Sequence, residues 1–130
     1  MLRFIALLLA YFALSSATSM PQEASIEFLN VKINSTATLA FPAVANFRRV
    51  VTNPKTKLSE EHIYRVCNGK NKAKCGFWEN VTTKKKVASG ITNYNKKKKS
   101  LLIKKFQVAD EGQYMTGNKK KYYHLFAFSG

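Results

Sequence analysis

Residues able to do acid–base or metal chemistry are scarce in this 130-residue chain, which has two histidines, His62 and His124. His62 directly follows Glu60 and Glu61, a grouping that would suit proton transfer or a metal ion. Because charged side chains in polar loops are commonly solvated, an exposed acidic patch is the simpler interpretation. His124 falls in the last apolar segment of the sequence and is interpreted as a strand residue.

Sequence motifs for catalysis or cofactor binding are not found. No G-x-S-x-G segment, no phosphate-binding glycine loop and no cluster of metal ligands occurs in the sequence. Two cysteines with His62 nearby are too few and too poorly spaced for a structural zinc site. The sequence therefore predicts a protein with no catalytic residues, no metal and no cofactor, and an enzyme is a distant alternative.

Lysine is the residue type that most clearly indicates a possible function. The chain carries a formal net charge of +15, and its lysines come in runs. The candidate polyanion-binding residues are Lys84, Lys85, Lys86, Lys96, Lys97, Lys98, Lys99, Lys119, Lys120 and Lys121. Such a charge favours sulfated glycans, anionic lipids or nucleic acid, although no aromatic-interleaved pattern indicates nucleic acid. Solubility and protection of sheet edges are the alternative explanation.

The N-terminus is similar to a secretory signal peptide over residues 1–19. Arg3 supplies the charged start, an apolar run follows from Phe4 to Leu14, and cleavage is expected after Ala17 or Ser19. A membrane anchor is the alternative, but this run is shorter than the roughly 20 residues that a spanning helix needs. We expect a secreted, extracellular protein with one domain at residues 20–130 and no transmembrane segment.

Two further features fit an exported chain. Asn34 and Asn80 begin N-x-S/T sequons and would carry glycans if exposed, the alternative being that one or both stay unmodified. Cys67 and Cys75 flank an Asn68-Gly69 turn signal, which predicts a disulfide that closes a hairpin. An intermolecular bridge and two free thiols are the alternatives.

The elements that must position these residues are predicted to be β-strands. No segment has a sustained helical period, and short strands alternate with turn signals, which favours an all-β sandwich. Strands are expected at residues 26–33, 37–41, 47–52, 62–67, 75–81, 87–94, from 101 onward, 114–117 and 122–128. Residues 55–61 are expected to form a polar loop.

The stretch from Ser100 to Tyr114 contains the most informative motif. Leu101, Ile103 and Phe106 are spaced as inward residues, Asp110 and Gly112 fit a tight corner, and Tyr114 opens the next strand. This motif resembles the E strand, E–F corner and F strand of an immunoglobulin-like domain. The resemblance implies that the Tyr114 ring packs in the core while its hydroxyl binds the corner backbone.

The whole mature chain resembles a V-type or I-type domain of the immunoglobulin superfamily. Ala37-x-Leu39-x-Phe41 stands where the family has its B strand, and Thr116 follows Tyr114 in the F strand, so Phe41 and Thr116 occupy the two family cysteine positions. The resemblance implies an immunoglobulin-like β-sandwich of two antiparallel sheets with Greek-key connections that lacks the usual intersheet disulfide. It also implies that Asp110 pairs with a basic residue, for which Lys84 to Lys86 are the candidates.

The expected function is non-catalytic binding of an extracellular partner. The segment HIYRVCNGKNKAKCGFW is also similar to small secreted single-domain immunoglobulin-like proteins associated with nematodes. Loops on a rigid sandwich commonly carry recognition, so the Cys67–Cys75 hairpin and the lysine loops are the expected surfaces. The partner is expected to be an extracellular protein or a sulfated glycan. The alternative is a cationic host-defence effector that acts on anionic membranes.

Overall fold

In the part of the chain that the structure describes, side chains that alternate between buried and exposed positions build nine β-strands. The computed structural model describes residues 26–89 and 91–130, so the predicted signal peptide at 1–19 lies outside the described residues. The strands are β1 (Ile26–Lys32), β2 (Ala37–Ala40), β3 (Asn46–Thr52), β4 (Ser59–Arg65), β5 (Trp78–Asn80), β6 (Thr92–Asn95), β7 (Ser100–Ile103), β8 (Gly112–Thr116) and β9 (Tyr122–Phe128). Within the described ranges, no helix is long and apolar enough to cross a membrane.

The strands form two facing sheets. The larger sheet has the order β1-β9-β8-β3-β4-β5, and the smaller has the order β2-β7-β6. The pair β1–β9 is parallel, and the other strand pairs are antiparallel. Nine strands with two extra strands beyond β3 define the variable type of immunoglobulin-like sandwich. The predicted fold class is therefore confirmed, and the structure selects the V type over the I type.

The core lies between the sheets and is rich in aromatic rings. Phe41, at one family cysteine position, is buried with its ring centroid 5.1 Å from those of Phe47 and Tyr123. An intersheet disulfide would contribute about 4 kcal/mol by chain entropy, and burying a phenylalanine side chain contributes about 2–3 kcal/mol. At the other position, the Thr116 hydroxyl donates to the Lys120 carbonyl at 2.8 Å and closes the β8–β9 turn. Phe41 thus stabilises the core and Thr116 stabilises the β8–β9 turn, with no covalent bond between these two positions.

Three turns share one construction, Asn-x-x-x-Lys. In each, the asparagine side-chain oxygen accepts the backbone N–H groups two and three residues later, as in an Asx-turn. In each, the lysine has a positive φ. The pairs are Asn53 with Lys57, Asn80 with Lys84, and Asn95 with Lys99. The asparagine offsets the cost of about 1–2 kcal/mol for a left-handed non-glycine residue.

The strand boundaries around the cysteines differ from the prediction. β4 begins at Ser59, inside the predicted polar loop, and ends at Arg65, while β5 starts only at Trp78. Both cysteines lie in the connecting segment 66–77, in which the Val66 N–H binds the Ala45 carbonyl and the Gly76 N–H binds the Arg65 carbonyl, each at 3.0 Å. The predicted Cys67–Cys75 disulfide is confirmed, with a Cα–Cα distance of 5.0 Å.

Candidate functional site

A buried polar network occupies the corner that the sequence motif predicted. The Tyr114 hydroxyl donates to the Asp110 carbonyl at 2.6 Å, and both residues are buried. Leu101, Ile103, Phe106 and Leu39 are all fully buried in the adjoining core. Burial raises the pKa of Tyr114 to about 12, so its hydroxyl keeps its proton. The corner is therefore a structural feature.

The partner of the Asp110 carboxylate is Arg49. The Arg49 Nη1 group donates to Asp110 Oδ1 at 2.9 Å and to the Tyr114 hydroxyl at 3.0 Å. The prediction that Asp110 pairs with a lysine from residues 84–86 is wrong, because these lysines are exposed in the turn after β5. The alternation of β3 directs Arg49 inward between Phe47 and Val51.

The guanidinium of Arg49 also stacks on the buried indole of Trp78, at 4.4 Å from the ring centroid. The Trp78 Nε1–H donates to the Thr92 hydroxyl at 2.8 Å, which links β5 to β6 across the two sheets. A cation held over an aromatic face is attracted by the ring quadrupole, most strongly when water is excluded. Trp78 is thus a packing partner of the charge network.

His62 is part of the same network and is not an accessible acid or base. Its Nδ1 accepts the Arg49 Nε–H at 3.0 Å, so its Nε2 carries the proton and donates to Glu60 at 3.0 Å. Burial lowers the pKa of His62, and hydrogen bonds from Asn53 and His62 lower the pKa of Glu60. In the described ranges, no group of three or more His, Cys, Asp or Glu side chains is arranged to hold a metal ion.

Four loops meet at one end of the sandwich, where β2 and β4 finish. These are segments 41–45, 66–77, 96–99 and 117–121, which we call the lysine end. Backbone hydrogen bonds join them: Phe41 N–H to Lys99 O at 3.1 Å, and Val66 N–H to Ala45 O at 3.0 Å. The Gly117 N–H similarly binds the Asn46 carbonyl at the start of β3, at 2.9 Å.

The lysine end concentrates positive charge. None of its four loops contains Asp or Glu. Its lysines are all exposed, and they are Lys70, Lys72, Lys74, Lys96, Lys97, Lys98, Lys99, Lys119, Lys120 and Lys121. A single acidic contact is made from here, between Lys119 Nζ and Glu61 of β4 at 3.4 Å, within the described part of the chain. The surface therefore concentrates positive charge, with one of its ten lysines paired to a carboxylate of a neighbouring strand.

Lys84, Lys85 and Lys86 are not part of this end. β5 runs away from the lysine end, since Trp78 pairs with Tyr64 and Asn80 pairs with His62. The turn that follows β5 lies at the opposite end of the sandwich. The chain then runs back beside β5, where Lys86 pairs with Glu79 and its ammonium group lies over the Phe77 ring, 5.3 Å from the ring centroid. The structure thus brings two of the three predicted lysine runs together and separates the third.

Lys70, Lys72 and Lys74 were missed as candidates, because they do not form a continuous run. The Cys67–Cys75 disulfide holds the loop that carries them. The Asn71 side chain also braces this loop, since it accepts the Asn68 N–H at 3.0 Å and donates to the Val66 carbonyl at 3.1 Å. A cross-linked loop has less backbone entropy to lose on binding, so the backbone that carries these three lysines is pre-organised.

Both sequons lie away from the lysine end. Asn34 is exposed in the turn between β1 and β2, where its side-chain oxygen accepts from Gln107 at 2.7 Å. Asn80 is half-buried at the far end of β5, and its side-chain oxygen accepts the N–H groups of Thr82 and Thr83. Glycans at these two positions would leave the lysine end uncovered.

The comparisons with known proteins find similarity of fold and no similarity of sequence to a known family. No family model and no curated protein sequence matches the chain. It is similar to the extracellular domain of the voltage-gated sodium channel beta4 subunit, with 14% identity and a TM-score of 0.47 over 86% of this chain and 93% of that one. It is also similar to the extracellular portion of mouse CD200RLa, with 14% identity and a TM-score of 0.42 over 79% of this chain. The match covers 56%, about half, of that protein.

Proposed function

We propose that this protein is a secreted, non-catalytic immunoglobulin-like module whose lysine end binds a polyanionic extracellular partner, with sulfated glycans as the partner class. The observation that carries this proposal is the convergence of loops 66–77, 96–99 and 117–121, all rich in lysine and free of acidic residues. The disulfide and the two sequons support an extracellular location.

The lysine side chain suits this kind of partner. It is a compact point charge on a flexible stem, so it binds anionic groups without demanding one fixed geometry. A sulfated glycan presents repeated anionic groups along a chain, and several lysines on adjacent loops can bind them at once. Binding of this kind depends on the release of counterions and weakens steeply as salt rises.

Retention on a heparin column over a salt gradient tests the proposal with two charge-matched variants. The first, K96Q/K97Q/K98Q, removes three charges from the lysine end, and the second, K55Q/K85Q/K104Q, removes three from the opposite end. Neither triple variant alters a lysine with positive φ, so the turns are kept. The lysine-end variant should elute at clearly lower salt than both the control and the wild type.

The salt dependence gives a second readout. The plot of the logarithm of affinity against the logarithm of salt concentration has a negative slope. If each lysine contact contributes as in single-stranded nucleic acids, this slope should become shallower by up to about 2 for the lysine-end variant. Equal shifts for the two variants would mean that net charge alone drives retention, and the proposed site would be wrong. Leakage of dye from anionic vesicles would instead favour the host-defence alternative, because a binding module should cause none.

A further inference from the structure

Exposed apolar side chains are concentrated at one edge of the larger sheet. Seven large hydrophobic side chains are exposed in the described part of the chain, and four of them lie on β1 and β9. Together with the imidazole between them they form a surface that we call the aromatic edge: Ile26, Phe28, His124, Phe126 and Phe128. Contiguous apolar patches with polar rims mark sites of protein or membrane interaction.

Three rings of the aromatic edge stack on the outer face of the sheet. Phe28 lies opposite His124 in the parallel β1–β9 pair, and Phe126 follows two residues later on the same face. The ring centroids of His124 and Phe126 are 4.5 Å apart, and those of Phe28 and His124 are 5.9 Å apart. Phe28 remains 67% exposed and Phe126 39% exposed, so no other part of the described chain covers the stacked rings.

Lysines flank the aromatic edge at both ends. Lys32 pairs with Phe128 at one end, and the exposed Lys120 lies two residues before Tyr122, the partner of Ile26, at the other. The acidic residue of β1 is Glu27, and the alternation of the strand points its side chain away from the face that carries Phe28.

We infer that the aromatic edge is a docking surface for an anionic lipid bilayer. Its phenylalanine and isoleucine side chains enter the headgroup region, and the flanking lysines bind anionic headgroups, the same combination that holds amphipathic segments at membranes. A second copy of the chain fits this surface poorly, because dimerisation would bring together two chains that each carry +15. This inference is separate from glycan binding at the lysine end, although Lys120 belongs to the lysine end and also lies next to the aromatic edge.

Vesicle co-sedimentation of the mature protein tests the inference. Vesicles of phosphatidylcholine with phosphatidylserine should bind the protein, and vesicles of phosphatidylcholine alone should bind it weakly. F28S/F126S should lower the affinity at least about tenfold, because the apolar area that enters the bilayer is lost. K32Q/K120Q should lower it by about fivefold per lysine.

The matched control is L58S/I91S, which removes two exposed hydrophobic side chains elsewhere on the surface. Leu58 is 67% exposed, the same value as Phe28, and it lies in the loop between β3 and β4. This control should bind vesicles like the wild type. Because all four side chains are exposed, thermal unfolding should be little changed in either double variant, and this is checked before binding is compared.

Three outcomes would overturn the inference. The first is wild-type affinity for anionic vesicles in F28S/F126S, and the second is an equal loss in L58S/I91S. The third is an oligomeric wild type in sedimentation velocity that F28S/F126S converts to monomer, which would make the aromatic edge an interface between copies. Heparin retention of F28S/F126S should be unchanged, so failure of lipid docking and failure of glycan binding are distinguishable.

Discussion

Arg49 should be the most sensitive residue of the fold, and an Arg49→Met substitution tests this. The guanidinium is buried, and it donates to Asp110, Tyr114 and His62 at 2.9–3.0 Å. Methionine keeps most of the stem but removes all three hydrogen bonds. Among the described residues, the Asp110 carboxylate would then keep the Ser89 hydroxyl and the Gln107 N–H as donors while remaining buried. Leaving one partner of a buried ion pair uncompensated costs about 3–5 kcal/mol.

Urea unfolding followed by Trp78 fluorescence measures this cost. We expect Arg49→Met to lower the free energy of unfolding by about 3–5 kcal/mol, which is a large share of the 5–15 kcal/mol typical of a domain. Adding Asp110→Asn removes the unpaired charge, so the double variant should be less destabilised than the sum of the two single variants. A cost below about 1 kcal/mol for Arg49→Met, or strictly additive single costs, would refute the role assigned to this pair.

Two further predictions concern neighbours of Arg49. Tyr114→Phe removes a buried hydroxyl that bonds to the Asp110 carbonyl and to Arg49. The free energy of unfolding should therefore fall by about 1–2 kcal/mol. An unchanged melting temperature would show that the corner bond contributes nothing. The pKa of His62 is lowered in the folded state, so the unfolded chain binds the proton more readily. The contribution of His62 to the free energy of unfolding should therefore be complete above the unfolded pKa near 6.5 and decline as the pH falls below that value. Urea midpoints measured across this range should be flatter in His62→Asn, and an equally steep decline in that variant would assign the effect to other groups.

Part of this structure could be predicted from local sequence. The Asp110-x-Gly112-x-Tyr114 corner and the Leu101, Ile103 and Phe106 stripe could be assigned because their spacing alone fixes which side chains face inward. Arg49 could also have been found, since it alternates with the buried Phe47 and Val51.

The lysine end could not be predicted in the same way. Its loops are distant in sequence, and only the strand order places segments 66–77, 96–99 and 117–121 together while moving 84–86 to the other end. The predicted boundaries of β4 and β5 were wrong for a related reason. Residues 66–77 satisfy their backbone groups through the Ala45 carbonyl and internal turns, contacts that a local pattern does not encode.

The positions of the lysines bear on why the chain carries so much positive charge. If they served to protect sheet edges, they should lie within edge strands. Lys32, on the edge strand β1, is the one lysine inside any of the nine described strands, and the other three edge strands, β2, β5 and β6, contain none. If they served solubility alone, dispersal would be favoured, because ten like charges on adjoining loops repel one another and oppose folding. A disulfide-braced loop and tight turns hold these charges together against that repulsion, which supports the proposal that the lysine end binds an anionic partner.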